Sequence, residues 1–175
     1  MKNTLIINLF AGPGAGKSTG AAYVFSKLKM AGIDAELVTE FAKDKVWEEN
    51  PSPFKCQFYI TGKQAFRISR VFGKVDVIVT DSPIILGAQY ADTEGLKQAC
   101  VDEFNKYTTN TNFFINRVKK YNPNGRFQTE EDAKKIDVDF KQFLADKNIS
   151  YIEVDGNEEG YNRIAEYVKN ILEVN

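Results

Sequence analysis

An α/β fold built on a five-stranded parallel sheet, in three layers, is predicted by two features of the sequence. Five short apolar runs recur along the chain, and stretches with helical spacing separate them. At 175 residues the chain suits one domain with one core, 1–175. Its 43% hydrophobic and 27% charged residues are enough to bury that core.

The first run, Leu5 to Phe10, is short and branched and reads as a buried strand. Ala11-Gly12-Pro13-Gly14-Ala15-Gly16-Lys17-Ser18 follows at once, and Ala21, Ala22, Val24, Phe25 and Leu28 then begin a helical pattern. A second strand is expected at Ala35 to Val38. The stripe Phe58, Thr61, Ala65, Ile68 and Phe72 predicts a helix, and Val75 to Val79 a third strand. Leu96, Ala99, Cys100 and Phe104 predict a helix before a fourth strand at Asn112 to Ile115. Ala133, Ile136, Phe140, Phe143 and Leu144 mark the next helix, which opens at a capping box, Thr129 with Asp132. The last strand is expected at Tyr151 to Val154, and Ile164, Ala165, Val168, Ile171 and Leu172 form the last stripe. Right-handed crossovers follow from that alternation, with helices on both faces of the sheet.

The composition excludes several chemistries. There is no histidine, which removes histidine general bases, serine–histidine triads and histidine-bound zinc. Twenty-three Lys and Arg against 24 Asp and Glu leave a net charge of −1, so nothing global draws the chain to nucleic acid or membrane, and any polyanion must be bound locally. No apolar stretch approaches the ~20 residues that cross a bilayer. Cys56 and Cys100 are expected as reduced core thiols, and Met1-Lys2-Asn3-Thr4 leads straight into the first strand without a secretory signal, so a cytoplasmic location is expected.

Ligands of a parallel sheet sit beyond the carboxyl ends of its strands. The glycine-rich segment stands at such an end and follows the Walker A pattern, with Ala11 where the strict pattern opens with glycine. Glycines admit the backbone N–H groups that converge on a phosphate chain, and the helix behind adds its dipole. Gly12, Pro13, Gly14, Ala15, Gly16, Lys17, Ser18 and Thr19 are therefore the expected nucleotide cradle, with Lys17 on the terminal phosphates and Ser18 on magnesium. This is a P-loop, so ATP and Mg2+ are the expected cofactors.

Asp81 leaves the third strand at the same edge, either to hold the metal and take the acceptor's proton or, with Ser82 before Pro83, to cap a helix. Glu40 and Lys43, after the second strand, suit a base and an acceptor-phosphate contact, or else a first-turn acid and a solvated lysine. Gln64 and Arg67 sit near the polar side of the next helix, placed to read a base and pair with an acceptor. Arg117, Lys119, Lys120 and Arg126 surround an Asn-Pro-Asn-Gly turn, which predicts a basic lid over 117–129.

In this order the segments resemble the P-loop nucleoside and nucleotide kinases, and among them the NadR-type ribosylnicotinamide-kinase-like group, which includes many phage-encoded members. The resemblance rests on Gly14-Ala15-Gly16-Lys17-Ser18, Glu40 with Lys43, the helix around Gln64, the Asp81 turn and Gly125-Arg126. Such kinases often carry Asp-Arg where this chain has Asp81-Ser82, and arginine where it has Lys43. The resemblance implies ATP-dependent phosphoryl transfer to a small nucleoside or (deoxy)nucleoside monophosphate, with Asp155, Gly156 and Asn157 against the adenine. The alternatives are a nucleotide-binding regulatory protein that hydrolyses ATP slowly, or a kinase acting on a modified base in DNA, which the near-neutral charge disfavours. Partners are a small-molecule acceptor and no membrane; a homodimer is left open.

Overall fold

The computed structural model describes residues 2–122 and 129–173. Five strands, β1 (Leu5–Phe10), β2 (Ala35–Val38), β3 (Val77–Thr80), β4 (Asn110–Asn116) and β5 (Ile152–Asp155), form one parallel sheet in the order β2-β3-β1-β4-β5. The helices are α1 (Lys17–Met30), α2 (Phe41–Trp47), α3 (Gln57–Ser69), α4 (Glu94–Asn105), α5 (Glu130–Asp146) and α6 (Glu158–Glu173). Two 3-10 helices, Ser52–Lys55 and Ile84–Tyr90, complete the connections. This is the three-layer P-loop NTPase fold that the alternation predicts.

Strand ends differ from expectation by two residues at β3 and β4, since an apolar run continues wherever it is buried while pairing decides the strand. Val75 is buried, yet the ladder with β1 begins at Val77 opposite Leu5. β4 gains Asn110 and Thr111 because they pair with Ile6 and Ile7. Polar residues are tolerated there because Asn8 Nδ2 donates to Asn110 Oδ1 at 2.9 Å and Asn112 Oδ1 at 3.0 Å, so the buried amide is satisfied.

The core forms as the apolar periods dictate. α1 turns Gly20, Ala21, Val24 and Leu28 inward and packs on α6. Phe10 meets Phe140 of α5 edge to face at 5.5 Å and Phe104 of α4 at 6.2 Å, which sets both helices on the sheet. Ile68 of α3 joins Ile6, Val38, Ile78 and Ile84. The capping box predicted at α5 is present, with Thr129 and Asp132 bonded reciprocally, and α4 is capped by Thr93, which accepts from Leu96 N.

Three expectations are corrected. Phe72 lies past the end of α3, which stops at Ser69 in a closing turn where Val71 N and Phe72 N share Ile68 O. Phe58 is 72% exposed rather than part of the inner stripe. Cys56 is also exposed, and only Cys100 is a core thiol.

The strand order carries the functional consequence. β1 lies between β3 and β4, and Asn8 pairs with Thr80, so the residues leaving β1 and β3 emerge side by side. The glycine-rich loop and Asp81 therefore share one edge.

Candidate functional site

The loop from Ala11 to Gly16 turns on two glycines in the left-handed region, Gly14 at φ +79° and Gly16 at φ +107°. Crowding closes the same positions to side chains. A Cβ on Gly14 would lie 2.7 Å from the Tyr121 ring, and one on Gly16 would collide with the Tyr161 hydroxyl; Gly12, a third glycine of the loop, is closed by Ala133 O at 2.7 Å. Gly16 serves as the N-cap of α1 with no side-chain cap, so the first N–H groups of the helix have no side-chain acceptor at that cap. That is a cradle for an anion.

Lys17 starts α1 and bends back across the loop, its Nζ donating to Ala11 O at 2.7 Å and Gly12 O at 3.0 Å. Burial lowers its pKa from the usual lysine range, and the carboxylates of Glu40, Asp81 and Asp137 oppose that shift. Three acids thus lie within electrostatic reach of one ammonium.

Asp81 is 3% exposed, and among the described residues its Oδ1 has no hydrogen-bond partner. It does not cap the following 3-10 helix, which starts after Pro83 without a side-chain cap. A buried carboxylate oxygen left without a donor costs stability unless a cation or a donor from a ligand completes it. Ser18 lines the same cavity as Asp81. Among the described residues no group of three or more His, Cys, Asp or Glu stands ready for a metal. One carboxylate and one hydroxyl beside a phosphate cradle suit Mg2+, which takes few protein ligands and completes its shell with phosphate and water.

A cavity of about 320 Å³ has the loop on one side and, on the other, a chamber lined by residues that follow β2 and β3. Lys17, Ser18, Thr19 and Asp81 line one end, with Pro13, Gly14 and Gly16. Glu40, Lys43, Gln57, Thr61, Gln89 and Tyr90 line the other, closed by apolar Val46, Phe54, Ile60 and Leu86. The chamber's walls come from α2 with its N-cap Glu40, from α3 and from both 3-10 helices. The Tyr90 hydroxyl is pushed up to about 12, first by loss of water and then by the negative charges of Glu40 and Asp137. Solvent tempers that shift, because the residue as a whole is 46% exposed.

Gln64 also borders the cavity, but its amide is bonded to main chain. Its Oε1 accepts from Phe41 N at 2.9 Å and its Nε2 donates to Thr39 O at 3.4 Å. It is buried and pins the β2–α2 turn that carries Glu40 and Lys43. Arg67 does not line the cavity. It donates to Thr39 O at 3.1 Å, pairs with Asp44 and lies 5.2 Å over the Phe41 ring. Both residues bond to the β2–α2 turn, and of the two only Gln64 also borders the cavity.

Arg117, the first cation of the expected lid, lies under the loop. Its Nη1 donates to Pro13 O at 2.8 Å and its Nη2 to Asp137 Oδ2 at 2.8 Å, while Asp137 Oδ1 accepts from Gly12 N. Arg126 and Gly125, with the lid's turn, lie outside the described residues, as does all of 123–128. Asp155 ends β5, Gly156 and Asn157 follow it, and none of the three lines the cavity. Gly156 packs on Ala15 O, and Asn157 Oδ1 accepts from Gly160 N at the start of α6. From α6, Tyr161 reaches back and donates to Gly16 O at 3.0 Å.

Asp137, Tyr161 and Tyr90 are not among the residues that the sequence patterns single out. A signal existed for Asp137, because it falls on the apolar stripe Ala133, Phe140 and Leu144 at helical spacing, where a lone acid needs a partner. Tyr161 and Tyr90 carry none, since an aromatic on an apolar face reads as core.

A family model described as AAA domain matches residues 6–161. No curated protein matches the chain. The solved structure described as "Crystal structure of NadR protein in complex with NR" superposes with a TM-score of 0.72 at 15% identity. That match covers 95% of this chain and 51% of the other, so the chain spans about half the length of that protein. Its likeness is one of fold. Among the described residues no helix is long and apolar enough to cross a membrane.

Proposed function

The chain belongs to this AAA domain family, and from that premise we propose that it is a kinase moving the terminal phosphoryl group of ATP to a small nucleoside or (deoxy)nucleoside monophosphate. One observation carries the reading: the cavity that the glycine-rich loop lines is lined as well by Glu40, Lys43, Gln57 and Thr61 from other elements, which leaves space beside the loop for more than the phosphates. A protein that only senses nucleotide has no use for a walled space beside the transferable phosphate, whereas a kinase needs one for the acceptor.

The residues divide the task. Backbone N–H groups of Gly14 to Thr19 hold the phosphates, and Lys17 turns from its loop carbonyls to the transferred group as a point charge. Mg2+, when bound, neutralises charge on the phosphates, and Ser18 and Asp81 are the residues that would hold it. The acceptor oxygen attacks the terminal phosphorus in line and ADP departs; a nucleoside hydroxyl passes its proton to a carboxylate oxygen of Asp81 or Glu40, whereas the phosphate oxygen of a monophosphate attacks as an anion. Lys43 meets an acceptor phosphate where one is present, and Gln64 and Arg67 keep the chamber wall in register. Arg117 steadies the loop through Pro13 O, Arg126 supplies positive charge to the transferred group, and Asp155 to Asn157 border the adenine. The chain acts as one domain, residues 1–175, in the cytoplasm.

The test is ATP consumption with Mg2+ across a panel of nucleosides, deoxynucleoside monophosphates and ribosylnicotinamide, with products identified by mass spectrometry. One phosphorylated acceptor supports the kinase and names its substrate. ATP binding with no acceptor-dependent turnover overturns it in favour of a regulatory nucleotide-binding protein.

A further inference from the structure

The near-neutral total conceals a local asymmetry. From Asn50 to Val75 the chain carries Lys55, Lys63, Arg67, Arg70 and Lys74 and no aspartate or glutamate, so this stretch is five charges positive while the rest is six negative. Most of it is α3. One side of that helix, with Ile60, Gln64 and Ile68, is buried, and Gln57 and Thr61 face the cavity. The opposite side is built differently.

With successive residues 100° apart, Phe58, Gly62, Phe66 and Ser69 follow one line along the helix, and Tyr59, Lys63 and Arg70 flank it. All of these are exposed, Phe58 at 72% and Phe66 at 63%. A Cβ on Gly62 would meet nothing within 4 Å, so the step between the two phenylalanines is an open shelf about 12 Å long. Lys63 Nζ sits 5.4 Å over the Tyr59 ring. Among the described residues no carboxylate pairs with Lys55, Lys63 or Arg70, whereas Arg67 on the flank is tied to Asp44.

Aromatic rings left in water beside unpaired cations are costly for a face with no partner. We propose that this face of α3 is a docking surface for single-stranded nucleic acid, with unpaired bases stacking on Phe58, Tyr59 and Phe66 and the backbone phosphates lying along Lys55, Lys63 and Arg70. The ligand's chemistry follows from charge complementarity: the stretch holds cations without acids, and a polyphosphate chain supplies the missing anions while its bases cover the rings. A symmetric pairing of two copies through this face would set cation against cation. The surface lies outside the cavity and does not depend on which acceptor the cavity takes.

The experiment is fluorescence anisotropy of a labelled oligothymidylate of roughly 20 nucleotides with the full chain, under saturating Mg2+ and ATP so that the P-loop is filled. Expected are binding that weakens steeply with salt, a preference over the same length of duplex, and a loss of roughly tenfold for Phe58→Ala or Phe66→Ala. Lys63→Glu and Arg70→Glu should each reduce the salt slope by about one. All four changes are at the surface, so melting temperature and ATP binding should hold. No binding at about 50 mM salt, or binding indifferent to these substitutions, overturns the proposal. So does a concentration-dependent dimer or adhesion to phosphatidylserine vesicles that Phe66→Ala abolishes while the oligonucleotide stays unbound.

Discussion

Removing the Asp137 carboxylate tests whether the floor of the P-loop is held from α5. Asp137→Ala strips Arg117 of its ion pair and Gly12 N of its acceptor in one step. The pair is well enclosed, with side chains 8% exposed at Arg117 and 17% at Asp137. Breaking a buried pair from one side costs about 3–5 kcal/mol, because the remaining charge stays desolvated. Here Arg117 keeps its bond to Pro13 O, and Asp137 has some solvent, so about 3 kcal/mol is expected. For a chain of this size that lowers the melting temperature by about 6–12 °C, at about 2–4 °C per kcal/mol. A purely structural pair would stop there. If the pair also sets the loop's geometry, Asp137→Asn, which keeps the shape and one acceptor oxygen, should raise the KM for ATP more than the KM for the acceptor. The readouts are thermal unfolding and steady-state kinetics with each substrate varied. A melting temperature within about a degree of the parent, together with an unchanged KM for ATP, would refute the reasoning.

Asp81→Asn should lower turnover by about 10²-fold or more while the melting temperature holds or rises, because Oδ1 loses no partner among the described residues; full activity in the variant would remove Asp81 from the site. Lys17→Met should abolish turnover yet raise stability at neutral pH. A lysine whose folded pKa is lowered destabilises the fold wherever the unfolded chain binds the proton more readily, so the cost is complete below the folded pKa and vanishes above 10.5. The gap in melting temperature between variant and parent should therefore narrow as pH climbs towards that value, and a gap that widens would contradict a lysine destabilised by burial. Gln64→Ala should cost about 1–3 kcal/mol by leaving Phe41 N without its acceptor, and should raise the KM of the acceptor while sparing that of ATP; equal effects on both substrates would mean that the β2–α2 turn does not shape the chamber.

Much of this protein is legible in local patterns. The period of the apolar residues, two or continuous in strands and near four in helices, depends on the chain's own geometry and on burial, so the α/β alternation follows from residue order. The glycine-rich segment is equally local, since Gly14 and Gly16 adopt backbone angles that side chains resist, and the lysine and serine follow in sequence. Asp81 becomes legible through the rule that a parallel sheet gathers its ligand-binding loops at the carboxyl ends of the strands.

Contacts between distant segments were decided by the tertiary structure alone. Asp137 and Gly12 are 125 residues apart and Tyr161 and Gly16 are 145 apart, and nothing near either position specifies the other. Gln64 and Arg67 have the chemistry to read a ligand, but packing turns them onto Thr39, Phe41 and Asp44. A polar side chain carries the same donors whether its partner is a substrate or a main-chain carbonyl. Sequence states which groups can bond, and only the folded arrangement determines which partner lies within 3 Å.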